Sequence, residues 1–155
     1  MIEAVDIDLI TNIQARETVS KLPGAERVNF VVMDATRRLD ELIQMGRKFG
    51  FLFVDHWHGY DATHDVCVRL DKLLTDKAFV LFHDAINPGN ADPDHPYGVF
   101  PAIEDTLAKD DRFVFAGNFG CCALYQFIER VETPAAPDQI QSPSFINRLR
   151  RKLQG

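Results

Sequence analysis

The sequence predicts an α/β fold in which a mostly parallel sheet is covered by helices on both faces and ends in an antiparallel pair of strands. The first observation is a series of short, β-branched and aromatic runs, each nearly continuous in apolar character, as expected of strands buried on both faces. The second is that helical patterns separate these runs, which implies right-handed crossovers between parallel strands. The runs occupy residues 2–7, 28–33, 51–55 and 78–84.

Each gap between these runs carries its own helix signal. Asp8 is predicted to cap a first helix that stops before Pro23. Thr36 is predicted to cap the second helix and Asp61 the third, because side-chain oxygens at these positions can accept from free backbone amides. Each of these helices repeats apolar residues at helical spacing, so each can pack one face against the sheet.

The pattern changes after the fourth strand. Residues 86–98 contain three prolines and two glycines and are predicted to form a long loop, followed by a helix at about 98–109. Residues 113–117 and 121–128 are predicted to pair antiparallel across a tight turn at 118–120.

The last part of the chain is set apart by composition. We expect one domain over residues 1–130, and a Pro-rich tail with a short basic helix over 131–155.

Composition and charge exclude several classes of protein. The chain has 155 residues, of which 46% are hydrophobic, enough for one globular domain with a core. The net charge of −6 and the lack of a basic stripe argue against nucleic acid as a partner. No run is long enough to span a membrane, and no export signal is visible. The three cysteines, two of them adjacent, make a poor disulfide framework, so we expect a cytoplasmic protein.

Acidic and imidazole side chains recur where the predicted strands end. In an open parallel sheet, ligands bind beyond the carboxyl ends of the strands. Asp55 and Asp84 would end neighbouring strands about 4.8 Å apart, where two carboxylates can share a divalent cation such as Mg²⁺. His58 could then accept a proton from a substrate hydroxyl. The strand-end residues are Asp6, Asp8, Asp34, Asp55, His56, Trp57, His58, His83 and Asp84.

A purely structural interpretation of these residues stays open. Asp55 and Asp84 could cap the helices that follow them, and His58 could pack against Trp57. For His56 and His64 a packing role is the favoured interpretation.

Four stretches of the sequence resemble a known family. The stretches AVDID, VVMDA, FLFVDHWHGYDATHDV and FVLFHDAINPG resemble the second half of a class I S-adenosylmethionine (SAM)-dependent methyltransferase. The likeness is closest to the branch of macrocin-type sugar O-methyltransferases and cephalosporin-hydroxylase-like proteins, and runs from about residue 2 to about residue 128. It implies a Rossmann-like three-layer sandwich and SAM as cofactor.

The resemblance also implies roles for individual residues. Asp6 corresponds to the acid that binds the ribose hydroxyls of SAM. Asp34 and Ala35 correspond to the position that contacts the adenine.

The metal-dependent members of the family imply a second set of roles. Asp55 and Asp84 correspond to their acidic metal ligands, and His58 to their catalytic base. His83 stands where some members have Glu, and alternation along a strand would point it away from Asp84. If His83 does bind the metal, Mn²⁺, Fe²⁺ or Zn²⁺ becomes favoured over Mg²⁺.

The chain begins at the strand that is second in this family. The family's first strand and glycine-rich loop have no counterpart, so we expect a truncated methyltransferase whose first two strands lack a neighbour. Such an open flank would favour a homo-oligomer. The acceptor is expected to be a small-molecule hydroxyl of a sugar or other polyol-like natural product, because loop 86–98 is rich in polar side chains.

Two other classes of function stay open. HWHGYD is one residue away from an H-x-H-x-D metal motif, which suggests a metal-dependent hydrolase using Asp55, His56, His58, His83 and Asp84. The third class is a non-catalytic Rossmann-like remnant. Affinity for SAM is expected of a methyltransferase and not of a metal-dependent hydrolase or a non-catalytic remnant.

Overall fold

The computed structural model describes residues 1–92 and 94–130, so the predicted tail at 131–155 lies outside the described residues. The strands are β1 (Ile2–Asp6), β2 (Val28–Val32), β3 (Phe49–Val54), β4 (Leu74–Phe82), β5 (Phe113–Phe119) and β6 (Cys122–Phe127). The helices are α1 (Leu9–Val19), α2 (Ala35–Gln44), α3 (Tyr60–Cys67), α4 (Leu70–Leu73) and α5 (Val99–Asp105). Short 3₁₀ turns occupy Ala25–Arg27, Pro88–Ala91 and Leu107–Lys109.

These strands form an α/β fold with both parallel and antiparallel pairing, as predicted. β3 and β4 are parallel neighbours, and β6 pairs antiparallel with both β4 and β5. β1 and β2 form a parallel two-stranded sheet of their own, separate from the four-stranded sheet in the order β3-β4-β6-β5. Among the described residues, β1 and β2 pair only with each other.

The predicted hairpin is present, but its turn was placed too early. β5 continues to Phe119, and the turn lies at Gly120 and Cys121. Gly120 has a φ of 61°, a left-handed conformation that costs glycine little. A register irregularity between Phe115 and Gly117 takes up one residue of β5, which shifts the turn toward the C-terminus.

Of the three predicted helix caps, one is confirmed. The Asp8 carboxylate accepts a hydrogen bond from the Thr11 amide at 2.6 Å. The Thr36 prediction was wrong, because Asp34 caps α2 and accepts from the amide of Arg37 at 2.9 Å.

The third cap prediction was also wrong. Helix α3 begins after Gly59, and Asp61 lies within its first turn. A carboxylate there still favours the helix through the positive end of its dipole.

The core lies between the four-stranded sheet and helices α3 to α5. Its fully buried side chains include Leu70, Leu74, Val80, Phe82, Ile103, Leu107 and Phe127. On β3, Leu52 and Val54 pack against this core, whereas Phe51 and Phe53 are more than half exposed on the opposite side. Among the described residues, no helix is both long and apolar enough to cross a membrane.

Helix α2 makes one charged pair with β1 and another with the residue that begins α4. The Arg38 guanidinium donates to the Glu3 carboxylate on β1 at 2.7 Å. Asp40 of the same helix accepts from Arg69, at the start of α4, at 2.8 Å. Both side chains of the Arg38–Glu3 pair are mostly buried, at 14% and 12% exposure, so this pair should contribute more than a surface ion pair does.

We expect Glu3→Gln to lower the free energy of unfolding by about 1.5–3 kcal/mol, the range for hydrogen bonds to charged groups. The hydrogen bond from Arg38 is the main cause that lowers the pKa of Glu3. The stabilisation is therefore full above the ordinary glutamate pKa of about 4.3 and is lost as the pH falls through the lower folded value. Denaturant titrations of both proteins from neutral to acidic pH test this expectation.

The matched control for this change is Arg37→Gln. Arg37 belongs to an exposed pair with Glu41 at 3.8 Å, and its side chain is 74% exposed. We expect this variant to lose at most about 1 kcal/mol. Equal losses in the two variants would contradict a special role for the Glu3–Arg38 pair.

Candidate active site

Three of the predicted site residues converge at the carboxyl ends of β3 and β4. We call Asp55, His58 and His83 the acid–histidine cluster. The Nδ1 atom of His83 lies 2.9 Å from Asp55 Oδ1. His58 Nε2 lies 3.5 Å from the same oxygen and 3.3 Å from His83 Nδ1. One donor atom of each residue lies within 4.8 Å of the other two, a spacing that suits a single metal ion.

The pairing of the two strands explains this convergence. Val54 of β3 is in register with Phe82 of β4, so Asp55 and His83 follow at the same level. The amide of His83 also donates to the Val54 carbonyl at 3.0 Å and extends the pairing by one bond. The sequence prediction that these strand ends meet is thus confirmed for the backbone.

The hydrogen bonds indicate which nitrogen is able to take up a proton. A carboxylate only accepts hydrogen bonds, so the 2.9 Å contact places a proton on His83 Nδ1. His58 Nε2, 3.3 Å from that nitrogen, can then act as the acceptor. A proton arriving on His58 would be stabilised by the carboxylate of Asp55.

Asp84 lies next to the cluster, and its neighbour there is His83 rather than Asp55. Its Oδ1 atom is 3.8 Å from His83 Nε2. Asp84 has a φ of 53°, so regular alternation ends here and does not separate the side chain of His83 from that of Asp84. Neither donor group found among the described residues includes Asp84, and its role as a metal ligand stays a prediction.

Neighbouring polar groups keep Asp84 ionised although it is 9% exposed. Burial by itself raises the pKa of the carboxyl, but the neighbouring Cys121 thiol, Tyr97 hydroxyl and His83 outweigh burial and hold that pKa below its usual value. The Asp84 carboxylate in turn raises the pKa of Tyr97. Tyr97 thus stays protonated beside a charged acceptor.

Described residues of the loop at 86–98 hold it against the cluster through backbone and side-chain contacts. The Gly98 amide donates to the His58 carbonyl at 2.8 Å. The Tyr97 ring lies 5.1 Å from the His58 ring, centroid to centroid. The Asn90 side chain donates to the Asp84 carbonyl at 2.8 Å, which fixes the other end of the loop.

We expect Gly98→Ala to destabilise the protein by about 1–3 kcal/mol, the usual range for overpacking. A Cβ atom at Gly98 would lie 2.5 Å from the backbone nitrogen of Tyr60, which cannot move as a side chain can. Thermal unfolding measures the loss. The control is Gly50→Ala on β3, where the nearest atom, Thr75 Oγ1, is 3.9 Å away. A melting temperature lowered no more than in the control would show that the loop can move away from Tyr60 without cost.

The structural interpretation left open for the acids and for His58 does not describe this site. Gly59 is the N-cap of the helix that follows Asp55, and Asn87 that of the 3₁₀ turn that follows Asp84. Trp57 is 69% exposed, and the ring contacts of His58 are with the rings of His83 and Tyr97.

His56 and His64, for which the sequence favoured a packing role, contact groups outside the cluster. His56 Nε2 lies 3.1 Å from the Ala62 carbonyl, and the His64 ring stacks on Tyr60. His56 is in neither donor group of the described residues, which weakens the hydrolase hypothesis.

The residues predicted to bind the cofactor lie on the two-stranded sheet. Asp6 ends β1, and its Oδ1 atom accepts from the Asp8 amide at 2.8 Å. Asp34 and Ala35 follow β2, and register between Asp6 and Val32 brings these acids to one edge. The carboxylate of Asp34 is also the cap of α2.

Sequence reasoning missed two residues beside the cluster. Donor atoms of Cys121, Cys122 and His83 all lie within 4.8 Å of one another. In the sequence the cysteines indicated only a poor disulfide framework. The available signal was their position at the start of a strand predicted to be antiparallel, which can bring them next to the end of β4.

Comparison with known proteins identifies solved structures that share this fold. The sequence matches no protein-family model and no curated protein. The structure is similar to that of the O-methyltransferase TomG from Streptomyces achromogenes, involved in tomaymycin synthesis and solved with SAM. The TM-score is 0.67 at 19% identity, over 82% of this chain and 61% of TomG.

Two further solved structures share the fold. The methyltransferase MycE of the mycinamycin pathway, solved with Mg, S-adenosylhomocysteine and mycinamycin VI, has a TM-score of 0.57 at 16% identity, over 98% of this chain and 42% of MycE. The N-methyltransferase NodS from Bradyrhizobium japonicum has a TM-score of 0.54 at 12% identity, over 82% of this chain and 73% of NodS. The chain thus has the Rossmann-like fold of these methyltransferases, over less than two thirds of the length of TomG and MycE.

Proposed function

We propose that this chain is part of a SAM-dependent O-methyltransferase that methylates a hydroxyl of a sugar or other polyol-like small molecule. The observation that carries the proposal is the acid–histidine cluster at the ends of β3 and β4. A base and a carboxylate lie there in a fold that this chain shares with O-methyltransferases.

The cluster suits the removal of a proton from a hydroxyl. His58 Nε2 accepts the proton, and the Asp55 oxygen 3.5 Å away stabilises the positive charge that results. The oxygen that loses its proton becomes the nucleophile, and the proton stays on His58 until solvent removes it.

SAM, when bound, supplies an electrophilic methyl group on a sulfonium. This chain offers Asp6 for its ribose hydroxyls and Asp34 with Ala35 for its adenine. The residues fit these roles because they share the carboxyl edge of β1 and β2, where ligands of parallel sheets bind. The Ala35 amide lies in the first turn of α2, where backbone donors are free.

A divalent metal, when bound, would lower the pKa of the acceptor hydroxyl. Asp55 and His83 fit as ligands when the metal replaces the proton on His83 Nδ1, with Asp84 as a further carboxylate beside His83. The crystal structure of MycE contains Mg. The imidazole in this donor set favours Mn²⁺, Fe²⁺ or Zn²⁺ over Mg²⁺ in this chain.

We further propose that one more strand pairs between the two sheets, next to β1 and β3. Support comes from the two separate sheets and from the position of β3 at the edge of the four-stranded sheet. That strand and its glycine-rich loop would hold the methionine end of SAM. The 155-residue chain alone should therefore bind SAM weakly, because contacts without preorganisation lose much of their free energy to ordering.

The acceptor class is inferred from the loop beside the cluster. Asp92, Asp94, His95 and Tyr97 supply hydrogen-bonding groups suited to a molecule with several hydroxyls. An apolar acceptor would leave these groups without partners at a cost of about 1–3 kcal/mol each where they become buried.

The direct test is transfer of a radiolabelled methyl group from SAM to a panel of sugars, polyols and apolar phenols. The enzyme is a form extended upstream through the additional strand, assayed with and without divalent metal. We expect label on hydroxyls of polyols and loss of transfer with chelator. Label on apolar acceptors alone would contradict the acceptor class, and no transfer from SAM to any acceptor would contradict the proposed function.

A further inference from the structure

We propose that His83, Cys121 and Cys122 form a binding site for one thiophilic divalent metal ion, of which Zn²⁺ is the type. Two thiolates and one imidazole would bind the ion, with a fourth position left for water or another oxygen. The proposal rests on the placement of three donor atoms and on the chemistry of sulfur, and holds without SAM or an acceptor.

The topology of the sheet creates this site. β6 runs antiparallel to β4, with Ala123 opposite Phe82. Cys122 therefore begins its strand beside the residue that follows β4, which is His83. Cys121 lies in the turn before β6, where strand alternation does not apply, so both thiols can be on the same side.

The spacing of the donor atoms is close to that of a tetrahedral zinc site. All of them lie within 4.8 Å of one another. Zn–S bonds of about 2.3 Å and Zn–N bonds of about 2.0–2.1 Å place ligand atoms about 3.5–3.8 Å apart. Side-chain rotations that bring the donors closer by up to about 1 Å would complete the geometry.

The type of donor selects the class of metal. Thiolates are soft ligands and favour Zn²⁺, whereas Mg²⁺ takes oxygen ligands almost entirely. Two cysteines with one histidine and an open position make up a known catalytic type of zinc site. A site made only of carboxylate oxygens would not favour Zn²⁺ over Mg²⁺ in this way.

Asp84 supplies the outer contacts that orient ligands in metal sites. Its carboxylate lies 3.8 Å from His83 Nε2, and its backbone amide faces the sulfur of Cys122. Asp84 thus lies beside two of the three proposed ligands.

The third cysteine shows what a structural thiol looks like in this protein. Cys67 is 5% exposed in the core, and its burial raises its pKa to about 12. Cys121 and Cys122 are only partly buried and can be reached from solvent. Cys67 therefore serves as an internal control.

The site shares His83 with the acid–histidine cluster. That a metal of the zinc class takes part in methyl transfer would rest on the proposed function. Binding of the metal by His83, Cys121 and Cys122 does not, so the failure of one proposal can be distinguished from the failure of the other.

The test is titration of the reduced, metal-free 155-residue chain with Co²⁺, a spectroscopic substitute for Zn²⁺, in the absence of SAM. We expect one Co²⁺ per chain, thiolate-to-cobalt charge-transfer absorption and the intense visible bands of a tetrahedral site. Zn²⁺ should displace the Co²⁺ and abolish the absorption, whereas Mg²⁺ should not.

Variants assign the ligands. Loss of an outer contact alone costs about 10–100-fold in metal affinity, so Cys121→Ser and Cys122→Ser should each raise the Kd for Co²⁺ by more than about 100-fold. The double variant should lose the charge-transfer band, and Cys67→Ala should keep it. Absence of the band in the unmodified chain, or its persistence in the double variant, would overturn the proposal.

A measurement without substitutions guards against variants that do not fold. Zn²⁺ should slow alkylation of Cys121 and Cys122 by iodoacetamide, followed by peptide mass spectrometry. Cys67 should react slowly with or without Zn²⁺. Equal alkylation of the two cysteines with and without Zn²⁺ would contradict the site.

Discussion

Replacing His58 with alanine is expected to lower the kcat of methyl transfer by about 10²–10⁴-fold, the usual contribution of a general acid or base. His58 Nε2 is the proposed proton acceptor, and the Asp55 oxygen 3.5 Å away would stabilise the charge that it gains. The Kd for SAM should change little, since the proposed ribose and adenine contacts lie on the other sheet.

The assay uses the upstream-extended form, a polyol acceptor and saturating metal. His64→Ala is the matched control, since His64 lies on α3 and stacks on Tyr60. Its kcat should stay within a few-fold of the unmodified enzyme. A kcat for the His58 variant no lower than that of the control would show that another group removes the proton.

Replacing Asp55 with alanine is expected to lower kcat/KM by at least about 10²-fold, because loss of a metal ligand should exceed the 10–100-fold effect of an outer contact. Asp55 contacts both histidines of the cluster, at 2.9 and 3.5 Å. The variant should therefore lose the stimulation by metal together with the residual stabilisation of protonated His58. Initial rates across a range of metal concentrations measure both effects.

Two further variants separate charge from shape at this position. Asp55→Asn keeps a carbonyl oxygen that can accept from His83 but removes the charge, and should fall between alanine and the unmodified enzyme. Asp61→Ala removes an exposed carboxylate from the first turn of α3 and should keep its response to metal. Unchanged stimulation by metal in Asp55→Ala would contradict Asp55 as a ligand.

The sequence predicted the strands and the meeting of the carboxyl ends of β3 and β4, because both follow from patterns along the chain, but it expected Asp84 rather than His83 beside Asp55. Continuous apolar runs define buried strands, and a parallel pair brings its carboxyl ends to one edge. The proximity of His58 to this edge follows from its position three residues later.

The sequence did not predict which polar residue caps α2 or where the last hairpin turns. Asp34 and Thr36 both have an oxygen suited to capping, and only the backbone conformation at Asp34 decides between them. The turn at Gly120 depends on an irregularity in β5 that leaves no signature in composition.

The placement of Asp84 and of the two cysteines depends on long-range pairing. The positive φ of Asp84 is rare for a non-glycine residue, and no local pattern predicts it. Cys121 and Cys122 reach His83 only because β6 pairs with β4 in one particular register. A shift by one residue would place these thiols elsewhere.

Calorimetric titration with SAM tests the central claim most directly. The 155-residue chain and the upstream-extended form would be compared, each with and without divalent metal. We expect clear binding by the extended form with one SAM per chain, and a Kd at least about 100-fold weaker for the 155-residue chain, equivalent to about 2.7 kcal/mol. Tight SAM binding by the shorter chain would contradict the proposed missing strand, and no binding by the extended form would contradict a SAM-dependent methyltransferase.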